Sequence, residues 1–241
     1  MSAILRIERV SKHFGGFTAL SDVNVEIARG ERFGLIGPNG SGKTTLINCI
    51  SGSLRNDAGS IVFDGEEISR LPAFQRTRRG IARSFQVPRP FSSMSVLENL
   101  IVPLEYVVHR ASLHTADSQG EAMELLRRIG LADKAETPSN QLTQVDLRKL
   151  ELARAMAARP RLLISDEAMA GLSGSEVDEI LDILIKLNES GITIIMIEHI
   201  MHAVMRFSER VVCLDAGRKI ADGDPQEVIA TPEVRKAYLG E

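Results

Sequence analysis

The run GPNGSGKTT, residues 37–45, constrains this chain more than any other stretch. It matches G-x-x-x-x-G-K-[ST] and stands between an apolar strand pattern, FGLI, and a helical one, TTLINCI, which is the setting the pattern requires. Gly37, Gly40 and Gly42 allow backbone N–H groups to converge on one anion at a helix N-terminus. Lys43 adds a point charge for the β and γ oxygens of a nucleotide, and Thr44 a hydroxyl that can hold Mg2+. Pro38, Asn39, Ser41 and Thr45 complete the expected nucleotide-binding segment. A glycine-rich turn that binds nothing is the alternative, and Lys-Thr directly after the last glycine argues against it.

The rest of the chain supplies the α/β context. Short β-rich runs (ILRIERV, VNVEI, RFGLIG, SIVFDG, IARSF) fill the first third and predict a mixed sheet around the strand–loop–helix unit. From Val87 to Arg159 the spacing of apolar residues turns helical, in SMSVLENLIVPL, EAMELLRRIGL and DLRKLELARAMAA. Then RLLIS, an amphipathic helix with Val177, Ile180, Leu181, Leu184 and Leu187 on one face, and GITIIMI restore the β-α-β grammar of a buried parallel sheet. The end reads as a hairpin, RVVCLDAGRKIADG, and two short helices, and residues 109–120 as a polar loop. The expected division is a nucleotide-binding core of residues 1–86 and 160–241, with antiparallel strands at its N-terminus, and a helical subdomain of residues 87–159.

A second constellation follows from strand ends. LLISDE closes an apolar strand with Asp166 and Glu167; one carboxylate can orient Mg2+ through water and the next can polarise an attacking water. Side chains alternate faces along a strand, so both serve one site only if the strand stops there. Gln86 closes IARSF and His199 follows ITIIMIE. Taken singly, such a Gln or His is more often a cap or a half-buried, satisfied group. Taken together, four strand ends deliver Lys43 and Thr44, Gln86, Asp166 and Glu167, and His199 to one edge of a parallel sheet, where open α/β folds bind ligands.

Composition narrows the partners. With 29 Lys+Arg against 32 Asp+Glu, the net charge of -3 gives no global electrostatic case for nucleic acid or an anionic membrane surface. The 2 cysteines, Cys49 and Cys213, lack metal-ligand spacing and read as buried thiols of a reducing compartment. The N-terminus lacks the apolar stretch of a secretory signal, and ITIIMI is far shorter than the roughly 20 residues a membrane-spanning helix takes. Any role at a membrane then requires a partner.

The order of these motifs, almost end to end, resembles the nucleotide-binding subunits of ABC transporters. The resemblance implies a P-loop ABC ATPase core with ATP and Mg2+ as cofactors. It implies that Phe14, in SKHFGG, stacks on adenine and that Gln86 is the Q-loop residue reaching Mg2+ and the attacking water. It makes Asp166 the Walker B aspartate, Glu167 the general base, Ser173 in AGLS part of the D-loop and His199 the switch histidine at the γ-phosphate. FGGFTALSDVNVEI, GIARSFQVPRPFSSMSVLENL, IEHIMHAVMRFSERVVCLDAGRKIADGDP and the ending AYLGE look most like ATPase subunits of branched-chain or other hydrophobic amino-acid importers. The expected partners are transmembrane permease subunits, a second ATPase subunit or a second copy on ATP binding, and indirectly a solute-binding protein, at the inner face of the cell membrane and without nucleic acid. A soluble ABC-type ATPase outside transport and a low-turnover gating module are the alternatives; tandem cassettes or basic segments, which would favour the first, are absent.

Two places depart from the family pattern. Its signature, Leu-Ser-Gly-Gly-Gln, is Leu142-Thr143-Gln144-Val145-Asp146 here, without either glycine. Thr-x-x-Asp retains the helix-capping pattern, while Gln144 and the β-branched Val145 put bulk where backbone approaches phosphate. An unpaired Asp146 about 4 Å from a phosphate oxygen costs on the order of 4 kcal/mol at the effective dielectric of a protein surface, which a fold back onto the Thr143 amide relieves. A cap with no ligand and a residual γ-phosphate contact both stay open on these residues. The second departure is Ala168, where the family usually has proline.

Overall fold

A computed structural model describes residues 2–108 and 117–239. Two sheets clasp one helix. The first is antiparallel, in the order β2-β1-β4-β5, from β1 (Ala3–Phe14), β2 (Phe17–Ala28), β4 (Ala58–Phe63) and β5 (Glu66–Glu67). The second has the order β10-β9-β3-β8-β7-β6, from β3 (Arg32–Ile36), β6 (Ile81–Ser84), β7 (Leu162–Asp166), β8 (Thr193–Ile197), β9 (Arg210–Asp215) and β10 (Arg218–Gly223). Its neighbours pair in parallel except β10 with β9. The expected mixed sheet is the six-stranded one; of the strands in the first third β3 and β6 join it, and the others form the antiparallel sheet.

Helix α1 (Lys43–Ser51) lies between the sheets, its Leu46, Ile47 and Ile50 sharing a cluster with Leu5, Ile7 and Val25 on one side and Ile164 and Ile195 on the other. Strands β7 and β8 are buried along their whole length, as parallel strands covered on both faces must be. Their alternation sorts the residues: Leu162 and Ile164 face α1, whereas Leu163, Ile194 and Met196 face the helices beyond.

On that far side lie α3 (Val96–Pro103), continued by a π-helical turn over residues 104–108, α4 (Ser118–Ile129), α5 (Gln144–Ala157) and α6 (Gly174–Glu189). One hydrophobic cluster runs from Leu100, Leu126 and Leu150 of the helical block through Leu181 of α6 to the sheet. Among the described residues the block therefore shares its core with the sheet. Ser95 starts α3 with a reciprocal cap: its hydroxyl accepts from the Glu98 N–H, and the Glu98 carboxylate accepts from the Ser95 N–H at 2.7 Å. Most of the stretch read as a polar loop, residues 109–116, lies outside the described residues; residues 118–120 instead open α4, capped by Asp117.

Short helix α2 (Ala73–Arg78) precedes β6, and α7 (Met201–Phe207), α8 (Pro225–Ala230) and α9 (Pro232–Leu239) close the chain. These last helices bury Val204, Val228 and Val234 against Ile36, Val211 and Cys213, a small cluster at the C-terminal end of β3. Among the described residues no helix is long and apolar enough to cross a membrane.

Candidate functional site

Strands β3, β8, β7 and β6 are adjacent and parallel, so their C-terminal ends form one edge. That edge carries Lys43 and Thr44 after β3, His199 after β8, Asp166 and Glu167 at the end of β7, and Gln86 after β6. The glycines of the loop are sterically required. A Cβ on Gly37 (φ 146°) would stand 2.2 Å from the Leu214 carbonyl oxygen, and one on Gly42 (φ 104°) 2.7 Å from that of Ala19. Gly42 is also the N-cap of α1 and offers the first-turn N–H groups no side-chain acceptor. Lys43 is buried and folds back, donating to the carbonyls of Gly37 at 2.6 Å and Pro38 at 3.0 Å. Burial lowers its pKa, against the upward pull of Glu167, Cys213 and Asp166. Ser41 is buried, Thr45 half-buried, and Asn39, Gly40 and Thr44 are exposed.

Both β7 carboxylates reach the site because the strand ends between them. Asp166 closes the ladder, and Glu167 takes a left-handed conformation (φ 46°) while its N–H donates to the Ile197 carbonyl. One Glu167 oxygen lies 2.8 Å from His199 Nε2; the other accepts from the Gln86 amide. Asp166 accepts from Arg83 at 2.6 Å, and Arg83 also donates to Asn48 at 2.6 Å. A cavity of about 180 Å³ is bounded by Thr44, Arg83, Gln86, Arg89, Asp166 and Glu167. Among the described residues no cluster of three or more His, Cys, Asp or Glu side chains can hold a metal. The few hard oxygens of Thr44, Asp166 and Gln86 around one cavity suit Mg2+, which keeps water and phosphate among its ligands.

Three further groups escaped the sequence reading. Arg83 is one; the signal was a cation inside a short, otherwise apolar strand. Arg148 of α5 donates to the Gln86 and Ala170 carbonyls, tying the helical block to the segments after β6 and β7. Glu198 is 2% exposed, accepts from the Met169 N–H at 3.0 Å, and is pushed by burial from 4.5 up to about 7. A carboxyl raised in this way stabilises the fold fully below pH 4.5 and loses that contribution as pH rises to about 7. Glu198→Gln retains an acceptor for Met169 without the charge. Its melting temperature should match wild type at pH 4.5 and exceed it above pH 7 by roughly 10 °C, corresponding to about 3 kcal/mol. Calorimetry from pH 4.5 to 8 tests this, and a constant difference across the range refutes it.

Thr143 and Asp146, at the start of α5, are engaged with each other. Thr143 caps α5: its hydroxyl accepts from the Asp146 N–H at 3.3 Å and donates to the Asp146 carboxylate at 2.6 Å. The reciprocal half of the capping box is not formed. Asp146, 4% exposed, turns to Lys134 at 2.6 Å, with Lys149 at 4.0 Å. Burial alone would raise its pKa; the Lys134 ammonium and Thr143 hydroxyl hold it below the ordinary value. Gln144 is exposed and lies against Gly171, while Val145 packs on the helical cluster. Ser173 caps α6 in a reciprocal box with Glu176. Phe14, 50% exposed, sits at the tip of the β1–β2 hairpin with the Lys12 ammonium 5.5 Å from its ring centroid. Ala168 is buried after Glu167, and nothing in its surroundings explains the absence of proline there.

Comparison with known proteins places this arrangement. The family profile described as ABC transporter matches residues 20–170, and one described as branched-chain amino acid ATP-binding cassette transporter matches residues 218–241. The chain is 38% identical to the high-affinity branched-chain amino acid transport ATP-binding protein BraF of Pseudomonas aeruginosa, over 99% of this chain and 98% of that protein. It is 37% identical to the Escherichia coli protein LivG, described in the same words, with the same coverage. The crystal structure of the ADP conformation of an ATP-binding cassette of an ABC transporter superposes with a TM-score of 0.90 at 30% identity, covering 100% of both chains. A dimeric, post-hydrolysis cassette bound to ADP and Pi superposes with a TM-score of 0.82 at 26% identity, over 92% of this chain and 98% of that one.

Proposed function

The chain belongs to the ABC transporter ATP-binding family and is an ABC-type ATPase, and from that premise we propose that it powers import of branched-chain or other hydrophobic amino acids through separate permease subunits. The relatives named as branched-chain amino acid transport ATP-binding proteins, matched along nearly the whole chain, carry this reading. The protein would lie on the inner face of the membrane, held there by its permease partners. The helical block after Gln86 is the docking face we assign to them; Val87, Phe91 and Tyr106, exposed at 68%, 42% and 69%, give it apolar surface. Reconstitution with permeases and a solute-binding protein tests the proposal: ATP hydrolysis should rise when that protein carries a branched-chain amino acid, and a lack of response to all hydrophobic amino acids would exclude it.

In the proposed reaction, residues 37–45 bind the phosphates and Lys43 exchanges its own loop carbonyls for the β and γ oxygens. Thr44, Gln86 and, through water, Asp166 would hold Mg2+, which would neutralise charge on those oxygens. Glu167 takes the proton of the water that attacks the γ-phosphorus as the bond to ADP breaks. Its hydrogen bonds to Gln86 and His199 hold it at that position, with His199 as the sensor of the γ-phosphate. Phe14 stacks on the adenine, and Ser173 faces the dimer partner.

We further propose that the chain pairs with a different ATPase subunit whose signature is intact. The self-satisfied Thr143–Asp146–Lys134 network supports this, since it consumes the hydroxyl and fills the surface that would meet phosphate held by a partner. The Walker side shows no such loss. The expected result for purified Glu167→Gln chain is a monomer by light scattering with or without Mg-ATP. A dimer appearing with Mg-ATP would show that residues 143–146 still close on phosphate and would remove the need for a different partner.

A further inference from the structure

We propose that Tyr238 of α9 is a positioning residue for the phosphate loop, so that the C-terminal helix helps set nucleotide affinity; this rests on the reading of residues 37–45 as the nucleotide site. The argument starts from the end of β3. Its ladder stops with Ile36, which pairs with Cys213 of β9. Gly37 is the next residue, buried, with the Leu214 carbonyl oxygen packed against its α-carbon. A buried N–H there needs a partner, because an unpaired one costs as much as a lost hydrogen bond. Neither sheet neighbour provides it. The Tyr238 hydroxyl does, accepting from the Gly37 N–H at 2.7 Å.

Gly37 is thereby held at both ends: its N–H by Tyr238 and its carbonyl by the Lys43 ammonium at 2.6 Å. When Lys43 leaves that carbonyl for phosphate, the tie to Tyr238 is the one that keeps the start of the loop in place. The hydroxyl is delivered by a packed helix rather than a loose tail. Val234, one turn earlier in α9, is 2% exposed and lies in the cluster with Ile36 and Cys213. Tyr238 is 39% exposed, and partial burial still pushes its phenol up to about 12, against the Gly37 N–H, so the hydroxyl stays neutral at working pH. The segment that contributes it, residues 218–241, matches a family profile of its own. The loop motif alone gives no hint of the contact, which spans 201 residues of sequence.

The test uses the full chain and Mg-ADP as probe, with calorimetric titration and a melting curve for each variant. Tyr238→Phe removes the acceptor and little else; it should weaken Mg-ADP binding three- to tenfold, the range for one neutral hydrogen bond, and lower the melting temperature by a few degrees because the Gly37 N–H loses its partner. In the assembled transporter, KM for ATP should rise by the same factor at constant kcat. Val234→Ala loosens the helix that delivers the hydroxyl and should weaken affinity in the same direction, whereas Leu126→Ala, in the separate helical-block cluster, should lower the melting temperature while leaving affinity within twofold. Amide exchange at Gly37 should be slow in wild type and faster in Tyr238→Phe. Unchanged Mg-ADP affinity in Tyr238→Phe, or a Gly37 amide that exchanges equally fast in both, overturns the proposal. Lys43→Ala separates the two levels: if it binds Mg-ADP as wild type does, the nucleotide site itself has been misplaced, whereas its failure to bind beside an unaffected Tyr238→Phe condemns only the role of Tyr238.

Discussion

Glu167→Gln should reduce ATP turnover of the assembled complex by about 10²- to 10⁴-fold, the usual contribution of a positioned general base, while ATP binding changes by less than about threefold. The geometry separates these two effects. Both Glu167 oxygens are engaged by neighbours that also line the site, His199 at 2.8 Å and the Gln86 amide. A glutamine of the same shape can hold at least one of these positions, so the pocket and its affinity survive. What it lacks is a group that can take a proton from water. Removal of charge also relieves Glu198, whose pKa is raised in part by Glu167, so the variant should be no less stable than wild type. Single-turnover hydrolysis with radiolabelled ATP measures the chemical step directly. If Glu167→Gln hydrolyses within tenfold of wild type, another group is the base.

Lys43→Ala should weaken ATP binding by roughly 30- to 100-fold, as loss of a charge-assisted hydrogen bond to phosphate implies, with a small change in melting temperature. The ligand-free geometry explains the second part. Lys43 is 6% exposed, and its ammonium rests on the Gly37 and Pro38 carbonyls. Alanine leaves those two acceptors without their donor and opens space for water, so the folded loop loses little. Lys43→Arg should not rescue binding, because a planar guanidinium in a buried slot cannot take the place of a compact ammonium on these carbonyls. Fluorescent-nucleotide titration of the isolated chain distinguishes the outcomes. Affinity within threefold of wild type for Lys43→Ala would mean that the nucleotide does not bind at this loop, and for Lys43→Arg that any cation at position 43 serves.

The sequence was most legible where local chemistry and periodicity agree. The phosphate loop needs glycines, a lysine and a hydroxyl in a fixed order, and the structure uses Gly37 and Gly42 at contacts where a Cβ would collide with backbone. The stripe of Val177, Ile180, Leu181, Leu184 and Leu187 is the buried face of α6. Strands β7 and β8 announce their two-sided burial by lacking polar alternation. Less was legible where a side chain's partner lies far along the chain. Asp146 was correctly seen as a charge in need of a partner, but its partner is Lys134, on a 3-10 turn before the helix, rather than the Thr143 amide. Arg83 and Asp166 are 83 residues apart and meet because β6 and β7 pair in parallel, with Arg83 opposite Ile164.

By itself, then, the sequence determined that this chain holds a nucleotide loop at the end of a buried strand, which residues end the neighbouring strands, and that its signature lacks glycine. Those properties depend on backbone conformation and on the burial period of single elements, and each is encoded within a few residues. Only the tertiary structure decided that β3, β8, β7 and β6 stand side by side, that Arg148 ties the helical block to the segments after β6 and β7, that Asp146 is ion-paired with Lys134, and that the last helix grips the first glycine of the loop. Hydrogen bonds and ion pairs of this kind join groups that any of several polar residues could have satisfied. Which of them does so depends on the packing of apolar faces, because that packing brings the elements together and decides which partners lie within reach.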